Sequence, residues 1–117
     1  MYICIMYSSE LLKGSLKTIV MQQLKEHGKM YGYEITQKVK EISSNKIQLT
    51  EGALYPALHA LEAEGFLTTE TEFIGKRVRK YYSLTPTGQN KVLEKINEFA
   101  EFVSTMKLIL QIETKKA

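Results

Sequence analysis

Residues 66–88, FLTTETEFIGKRVRKYYSLTPTG, carry the clearest indication of the fold. This stretch contains two segments rich in threonine and aromatic residues, a composition typical of β-strands, with Gly75 between them. This pattern predicts a β-hairpin with its turn at the glycine. The closing TPTG then predicts the start of a helix, with Thr85 as its N-cap and Pro86 at its first position.

Upstream of the hairpin, the pattern of apolar residues predicts three amphipathic helices. The first lies in SSELLKGSLKTIVMQQLKEHG, from a cap at Ser9 to a stop at Gly28. The second lies in YGYEITQKVKEIS, with Gly32 near its start, and the third in LTEGALYPALHALEAEGFL, from a cap at Thr50 to Gly65. The apolar residues that recur at helical spacing and are predicted to face inward are Leu12, Leu16, Ile19, Val20 and Leu24, then Ile35, Val39 and Ile42, then Leu54, Leu58 and Leu61.

Downstream of the hairpin, one long helix carries apolar residues at alternating spacings of four and three, which is the a/d pattern of a coiled coil. A domain this small has no partner large enough to cover that seam, so we expect a homodimer that buries it between two chains. The residues predicted at the dimer interface are Val92, Ile96, Phe99, Val103, Met106 and Leu110, joined by Leu12 and Leu16 from the first helix.

Three helices, a hairpin and a final long helix predict a mostly helical α+β fold, the winged helix-turn-helix with an added C-terminal dimerisation helix. Residues 1–85 are the predicted DNA-binding domain, and residues 86–117 are the predicted dimerisation helix. In this architecture the third helix enters the major groove of DNA, while the hairpin, or wing, contacts the backbone beside it. Strand alternation predicts that Tyr82 and Leu84 cover the helices.

Positive charge is concentrated in the wing. Between residues 74 and 91 there is no acidic residue, and the basic residues are Lys76, Arg77, Arg79, Lys80 and Lys91. The whole chain has 16 basic and 13 acidic residues, so the remainder, with 11 against 13, carries a net charge of −2. Crowded cations repel one another unless they meet an anion, and DNA phosphates supply one. The alternative is a charged hairpin that only faces solvent.

The third helix has an unusual outward face. With its leucines inward, the opposite face carries Gly52, Tyr55, Pro56 and His59. Pro56 lies beyond the first turn, where proline removes a backbone hydrogen bond and costs about 3 kcal/mol. Because a local rule broken at an exposed face often marks a functional site, we interpret this face as a DNA-reading surface. The alternative is that Pro56 only kinks the helix and Tyr55 packs on a neighbour.

Other classes of function find little support. His59 lies near Tyr55 and Glu62, but no nucleophile motif or glycine-rich phosphate loop accompanies it, so no enzyme is predicted. One cysteine, Cys4, and two histidines form no cluster with metal-ligand spacing, so we expect no metal, no cofactor and a reducing, cytoplasmic location. The apolar start, MYICIM, is too short to span a bilayer, and no membrane association is expected.

These motifs together resemble the PadR family of bacterial transcriptional regulators. The matching stretches are LLKGSLKTIVMQQL, YGYEI, LTEGALYPALHALEAEGFL and GKRVRKYYSLTPTG, which cover most of residues 11–88. The resemblance implies a dimeric, usually repressing, DNA-binding protein whose operator affinity is altered by a small ligand or another signal. Its short tail resembles the smaller subclass, in which the final helix pairs two subunits. The chain departs from the family at Ala60, where a basic residue is common, and at Val78, where a wing proline is common.

Residue pattern and resemblance lead to one set of predicted sites. The predicted DNA-binding residues are Tyr33, Thr50, Gly52, Tyr55, Pro56, His59, Lys76, Arg77, Arg79, Lys80 and Tyr81. Phe99 and Phe102 are predicted to line a site for a small apolar or aromatic effector where the last helices of two chains meet, although a phenylalanine at a heptad position also suits a plain core. A second hypothesis is a winged-helix adaptor whose basic wing binds an acidic protein partner.

Overall fold

The computed structural model describes residues 7–112. The segment MYICIM with Cys4, and the last five residues of the predicted dimerisation helix, lie outside the described residues. The elements in chain order are α1 (Ser9–Lys13), α2 (Leu16–His27), β1 (Met30–Tyr31), α3 (Gly32–Ile42), α4 (Glu51–Ala63), β2 (Leu67–Ile74), β3 (Arg77–Leu84) and α5 (Pro86–Leu110). The predicted fold class, a mostly helical α+β fold with a hairpin before a long last helix, is confirmed.

The prediction of one continuous first helix is wrong. The chain forms α1 and α2 instead, and the break falls at Gly14 and Ser15, two poor helix formers in succession. The cap of α1 is Ser8 rather than the predicted Ser9, because the Oγ of Ser8 accepts a hydrogen bond from the backbone N–H of Leu11 at 3.3 Å. Because of this break, α1 and α2 are two separate helices and need not share an axis.

The second helix of the sequence prediction corresponds to α3. Ile35 and Val39 are buried, as predicted, but Ile42 is 62% exposed, which contradicts its predicted place in the core. Ile42 is the last residue of α3, and the chain turns directly after it through Ser44 and Asn45, whose φ angles are 53° and 69°. At this position Ile42 lines an apolar groove between α2, α3 and α5 and stays open to solvent.

Both ends of α4 are capped as predicted. The Oγ1 of Thr50 accepts a hydrogen bond from the N–H of Ala53 at 3.2 Å. At the other end, Gly65 has a φ of +85°, and its N–H and that of the next residue donate back to carbonyls of the last turn, each at 3.0 Å. This is the Schellman arrangement, which favours glycine. The inward leucines are fully buried: Leu54, Leu58 and Leu61.

The strands β2 and β3 form the predicted hairpin around a two-residue loop, Gly75 and Lys76. Gly75 has a φ of +63°, a conformation that glycine adopts without strain in such a turn. Tyr82 is 1% exposed and Leu84 packs against the core, so both cover the helices as predicted. A third strand, β1, pairs with β3 and gives the order β1-β3-β2. The sequence did not predict β1, because a two-residue strand shows no alternation.

The first half of the long helix α5 packs against the rest of the chain. The Oγ1 of Thr85 accepts a hydrogen bond from the N–H of Gly88 at 3.0 Å and donates one to the carbonyl of Gly65 at 2.7 Å. Within the described part of the chain, the buried residues of α5 are Gly88 and Val92. Val92 and Leu16 were both predicted at the dimer interface, but they are 0% and 8% exposed in the core of the single chain. They are therefore not available to a partner.

Candidate nucleic-acid interface

One side of α4 is exposed, opposite its buried leucines. Gly52, Pro56 and His59 lie on this side, and Thr50 precedes them at the cap. The helix continues without interruption through Pro56, which has no N–H to donate to the carbonyl of Gly52 four residues earlier. The carbonyl of Gly52 therefore lacks its usual helical donor and lies on the exposed side with the other predicted DNA-binding groups.

Tyr55 was predicted on the same outward side, but it is half-buried, packs against the core and lays its ring on the start of α3, which is the alternative that the sequence left open. A Cβ added at Gly32 would lie 2.8 Å from the Cζ of Tyr55 and closer still to its hydroxyl, so glycine is required for this approach. On the other side, the ring centroid of Tyr55 lies 6.4 Å from that of His59. Tyr33, in the first turn of α3, is 63% exposed. The first turn of α3 and the outward face of α4 thus meet at Gly32.

The four cations of the wing have different surroundings. Lys76 and Arg77 are exposed at the tip. The Nζ of Lys80 lies 3.8 Å from the Oε1 of Glu62 and 5.5 Å from the centroid of the Tyr82 ring. This ion pair is exposed and holds Lys80 weakly against the helices.

Arg79 belongs to a stacked aromatic group on the other side of the wing. Its guanidinium carbon lies 4.3 Å from the centroid of the Tyr31 ring, and the rings of Tyr31 and Tyr81 meet edge to face with centroids 5.5 Å apart. The neighbouring Tyr81 hydroxyl raises the pKa of Arg79. These contacts tie the wing to Tyr31, which directly precedes α3, so neighbouring rings hold the side chains of Arg79 and Tyr81 in place.

An ion-pair cluster on the same outer side of the wing was missed in the sequence. The Nζ of Lys29 lies 2.7 Å from the Oε2 of Glu72 and 3.1 Å from the Oε1 of Glu70, and 5.1 Å from the ring centroid of Tyr81. Hydrogen bonds to Glu72 and then Glu70 raise the pKa of Lys29. Strand alternation places the two glutamates on one face and was the available signal, but no pattern connected Lys29 to them.

Charge is therefore distributed unevenly along the wing. Along β2, the carboxylates of Glu70 and Glu72 form ion pairs with Lys29. The tip, residues 73–78, has two cations and no carboxylate. Within residues 7–112, Lys76 and Arg77 form no ion pair. The wing contacts α4 through Lys80 and Glu62, and its acid-free cationic tip has the chemistry to contact phosphates.

Two other kinds of site are missing from the part of the chain that the structure describes. No group of three or more histidine, cysteine, aspartate or glutamate side chains there is placed to hold a metal ion. No helix there is both long enough and apolar enough to cross a bilayer.

The family model described as the transcriptional regulator PadR-like family matches residues 20–94. The match extends from α2 into α5 and includes α4 and the whole wing. The chain belongs to the PadR-like family of transcriptional regulators. As a PadR-like protein it is a DNA-binding regulator and not an enzyme, as the sequence predicted.

Individual relatives agree with this membership. The PadR-like chain is 37% identical over 65 residues to a transcriptional regulator of Mycobacterium tuberculosis, covering 56% of this chain and 58% of that one. It is 29% identical over 109 residues to an uncharacterized protein of Lysinibacillus sphaericus, and the alignment covers 91% of this chain and 97% of that one. Among solved structures, a PadR family regulator from Eggerthella lenta matches with a TM-score of 0.77 at 27% identity, over 90% of this chain and 89% of that one. A transcriptional regulator from Clostridium thermocellum matches with a TM-score of 0.76 at 28% identity, over 90% of this chain and 99% of that one.

Proposed function

We propose that this PadR-like protein is a ligand-responsive repressor that binds a two-fold operator as a homodimer. In each chain α4 enters the major groove, and the wing lies on the adjacent backbone. The observation that carries the proposal is the exposed side of α4 next to a wing tip that has cations and no acid. Neither feature has a structural role in the core.

The predicted DNA-binding residues divide by role in this proposal. Lys76 and Arg77 contact phosphates, because they are exposed and form no ion pair within residues 7–112. His59, on the exposed side of α4, faces the bases and sets sequence preference, whereas Tyr55 packs its ring on the start of α3. Arg79, stacked on the aromatic group, orients the wing relative to α3.

The test is binding of duplex DNA selected from the genome by the parent protein, measured over a range of salt concentrations. Replacing Lys76 and Arg77 by alanine should weaken binding to all duplexes and lower the salt slope by about one unit for each phosphate that the variant no longer neutralises. The matched control is Lys13→Ala combined with Lys25→Ala, which removes the same charge from exposed residues of α1 and α2. It should change neither the affinity for duplexes nor the salt slope. If the wing variant binds as the parent does at every salt concentration, the proposed interface is wrong.

Sequence preference and repression need separate measurements. His59→Ala should change the ranking of selected duplexes more than the salt slope, because base contacts carry sequence information and phosphate contacts do not. In cells, a reporter behind the selected fragment should be less active with the parent than with the wing variant. A parent that leaves the reporter unchanged and binds an acidic protein more tightly than duplex DNA would favour the adaptor hypothesis.

The homodimer is supported by the exposed apolar part of α5. Phe99 and Phe102 are 41% and 56% exposed, and Leu110, further along the same side of the helix, is 57% exposed. Apolar exposure continuing along a helix marks an interface with another protein surface. A two-fold axis beside α5 would cover this stripe with the same stripe of a second copy.

An apolar groove next to this stripe has the chemistry to receive the second copy. It has a volume of about 500 Å³ and lies between α2, α3 and α5. Ile19, Ile42, Ile47 and Ile96 line it together with Phe99. Because the exposed end of α5 carries leucine and isoleucine, we propose that the partner's α5 fills the groove, which also explains why Ile42 is exposed in the single chain.

The effector site is proposed at a smaller crevice of about 330 Å³ between the α1–α2 junction and α5. Phe99 and Phe102 both line it, with ring centroids 6.4 Å apart, and Leu11 lies opposite. Its size and aromatic lining suit a small planar ligand. A ligand there would change operator affinity only if it favours one arrangement of α5 over another.

Calorimetric titration with planar aromatic compounds tests the effector site. Phe102→Ala should weaken binding of any such compound about two- to tenfold, the range expected when one stacked ring is removed. Leu108→Ala, at an exposed apolar residue outside the crevice, should leave binding unchanged. Equal binding by the parent and Phe102→Ala would exclude this crevice.

A further inference from the structure

The tip of the wing is apolar as well as cationic. Phe73 is 78% exposed, Val78 is 58% exposed and Ile74 is 42% exposed. Phe73 and Val78 are directly paired across the hairpin, so their side chains stand together on one face. This small apolar surface lies directly beside the two exposed cations, Lys76 and Arg77.

The pair lies on the face of the hairpin that is turned toward α4. Along β3 the same face carries Tyr82, buried in the core, and Lys80, which lies 3.8 Å from Glu62 of α4. Phe73 and Val78 continue this face beyond the point where the helices cover it. They contribute nothing to the core, yet they extend from the side of the wing that adjoins α4.

We propose that Phe73 and Val78 form an apolar wedge that enters the minor groove next to the major groove occupied by α4. This inference rests on the proposed DNA binding and adds to it a contact that phosphate recognition does not need. Apolar side chains inserted at a base step partly unstack it and bend the duplex by about 20–90°. Lys76 and Arg77, at the turn, would hold the phosphates that border the groove.

Charge favours DNA as the occupant of this surface. The tip combines apolar side chains with cations and has no carboxylate. A partner that fits it must therefore carry negative charges next to a surface that apolar side chains can contact. The minor groove supplies phosphates along its edges and sugar and base surfaces between them. An anionic lipid surface has the same combination of chemistries, but it would give no reason for the wedge to lie on the α4 side.

The experiment compares the parent with Phe73→Thr combined with Val78→Thr, which keeps strand-forming residues and all charges. The probe is the duplex that the parent selects from genomic DNA, labelled at both ends for energy transfer. We expect affinity to fall about tenfold or more, as for removal of two partly buried apolar side chains. The salt slope should stay unchanged because no cation is removed, and the bend should decrease. Phe73→Leu with Val78→Ile keeps the surface apolar and should preserve both affinity and bend.

The outcomes separate this inference from the proposed function. If the parent binds duplex DNA and the threonine variant binds and bends it equally, the wedge is wrong while DNA binding stands. If the threonine variant keeps DNA binding but loses binding to phosphatidylglycerol vesicles that the parent retains, the tip serves a lipid surface and the inference is also wrong. A parent that binds no duplex overturns the proposed function itself.

Discussion

At the scale of single residues, Gly88 lies where α5 closely approaches the backbone that follows α4. A Cβ there would lie 3.0 Å from the carbonyl carbon of Phe66 and closer still to its oxygen. Because the obstacle is backbone rather than a movable side chain, Gly88→Ala should lower the free energy of unfolding by about 1–3 kcal/mol, measured by urea titration.

A second glycine supplies the control for that substitution. The nearest atom to a Cβ at Gly52 is the Oγ1 of Thr50, at 4.0 Å, so alanine fits there. Gly52→Ala should raise the free energy of unfolding by about 0.5–1 kcal/mol, because alanine favours the helix. Equal stability of the two variants would contradict the close packing described at Gly88.

Tyr82 makes a prediction about pH. Burial raises the pKa of its hydroxyl above the ordinary value near 10, and Glu62 and Tyr55 add to the shift. At a pH below the ordinary value, both the folded and the unfolded chain keep the proton. As the pH rises through the ordinary value, the unfolded chain releases the proton first, so the free energy of unfolding falls.

The substitution Tyr82→Phe removes this titration. The variant should therefore lose less stability than the parent between about pH 9 and about pH 11, measured by urea unfolding at each pH. Tyr33→Phe, which changes an exposed tyrosine of α3, should follow the parent. A Tyr82→Phe variant with the parent's alkaline loss would show that another group causes it.

At the scale of elements, Thr85 connects three of them through one side chain. Thr85 directly follows β3. Its hydroxyl caps α5 by accepting a hydrogen bond from the N–H of Gly88, and it donates one to the carbonyl of Gly65 just after α4. Thr85→Ala removes both hydrogen bonds and should lower the free energy of unfolding by about 0.5–2 kcal/mol. Thr85→Ser keeps the hydroxyl and should cost less. Equal losses for the two would mean that the methyl group, not the hydroxyl, matters there.

The wing shows how neighbouring elements change the role of a local motif. The basic cluster consists of four cations in the sequence, but Lys80 is paired with Glu62 and Arg79 is stacked on Tyr31. Lys76 and Arg77 are the two that remain exposed at the tip. The body of the wing thus contacts α4 and β1, and under the proposed function phosphate binding falls to Lys76 and Arg77 at its turn.

At the scale of the whole molecule, the exposed length of α5 predicts assembly. Val103→Glu with Leu110→Glu places charge on the apolar stripe, where burial without a partner is unfavourable. Sedimentation should show a monomer for this variant and a dimer for the parent, and operator affinity should fall because a single half-site binds weakly. A dimer would space its half-sites about 34 Å apart.

Thr105→Glu is the control for that pair, since it adds charge at an exposed residue of α5 outside the seam. It should leave the dimer intact. A parent that sediments as a soluble monomer at micromolar concentration rules out the dimer, and with it the two-fold operator. We place the substitutions beyond Ile96 because Ile96 packs partly against the core of its own chain.

The sequence alone was sufficient for features whose causes are local. The leucine period of α4, its caps at Thr50 and Gly65, the turn at Gly75 and the start of α5 each depend on residues within a few positions of one another. Helix period, strand alternation and capping act over one or two turns of chain, so they can be predicted without knowing where distant segments lie.

The partners of residues that are distant in sequence became visible only in the folded chain. Lys29 and Glu72 are 43 positions apart and form a 2.7 Å hydrogen bond, and no periodicity relates them. The same holds for Tyr55 on Gly32 and for Val92, whose heptad position did not reveal that its own chain would bury it. Such pairings depend on strand register and on how helices cross, which are set when the whole core packs, because burial rewards any apolar surface and does not specify its partner.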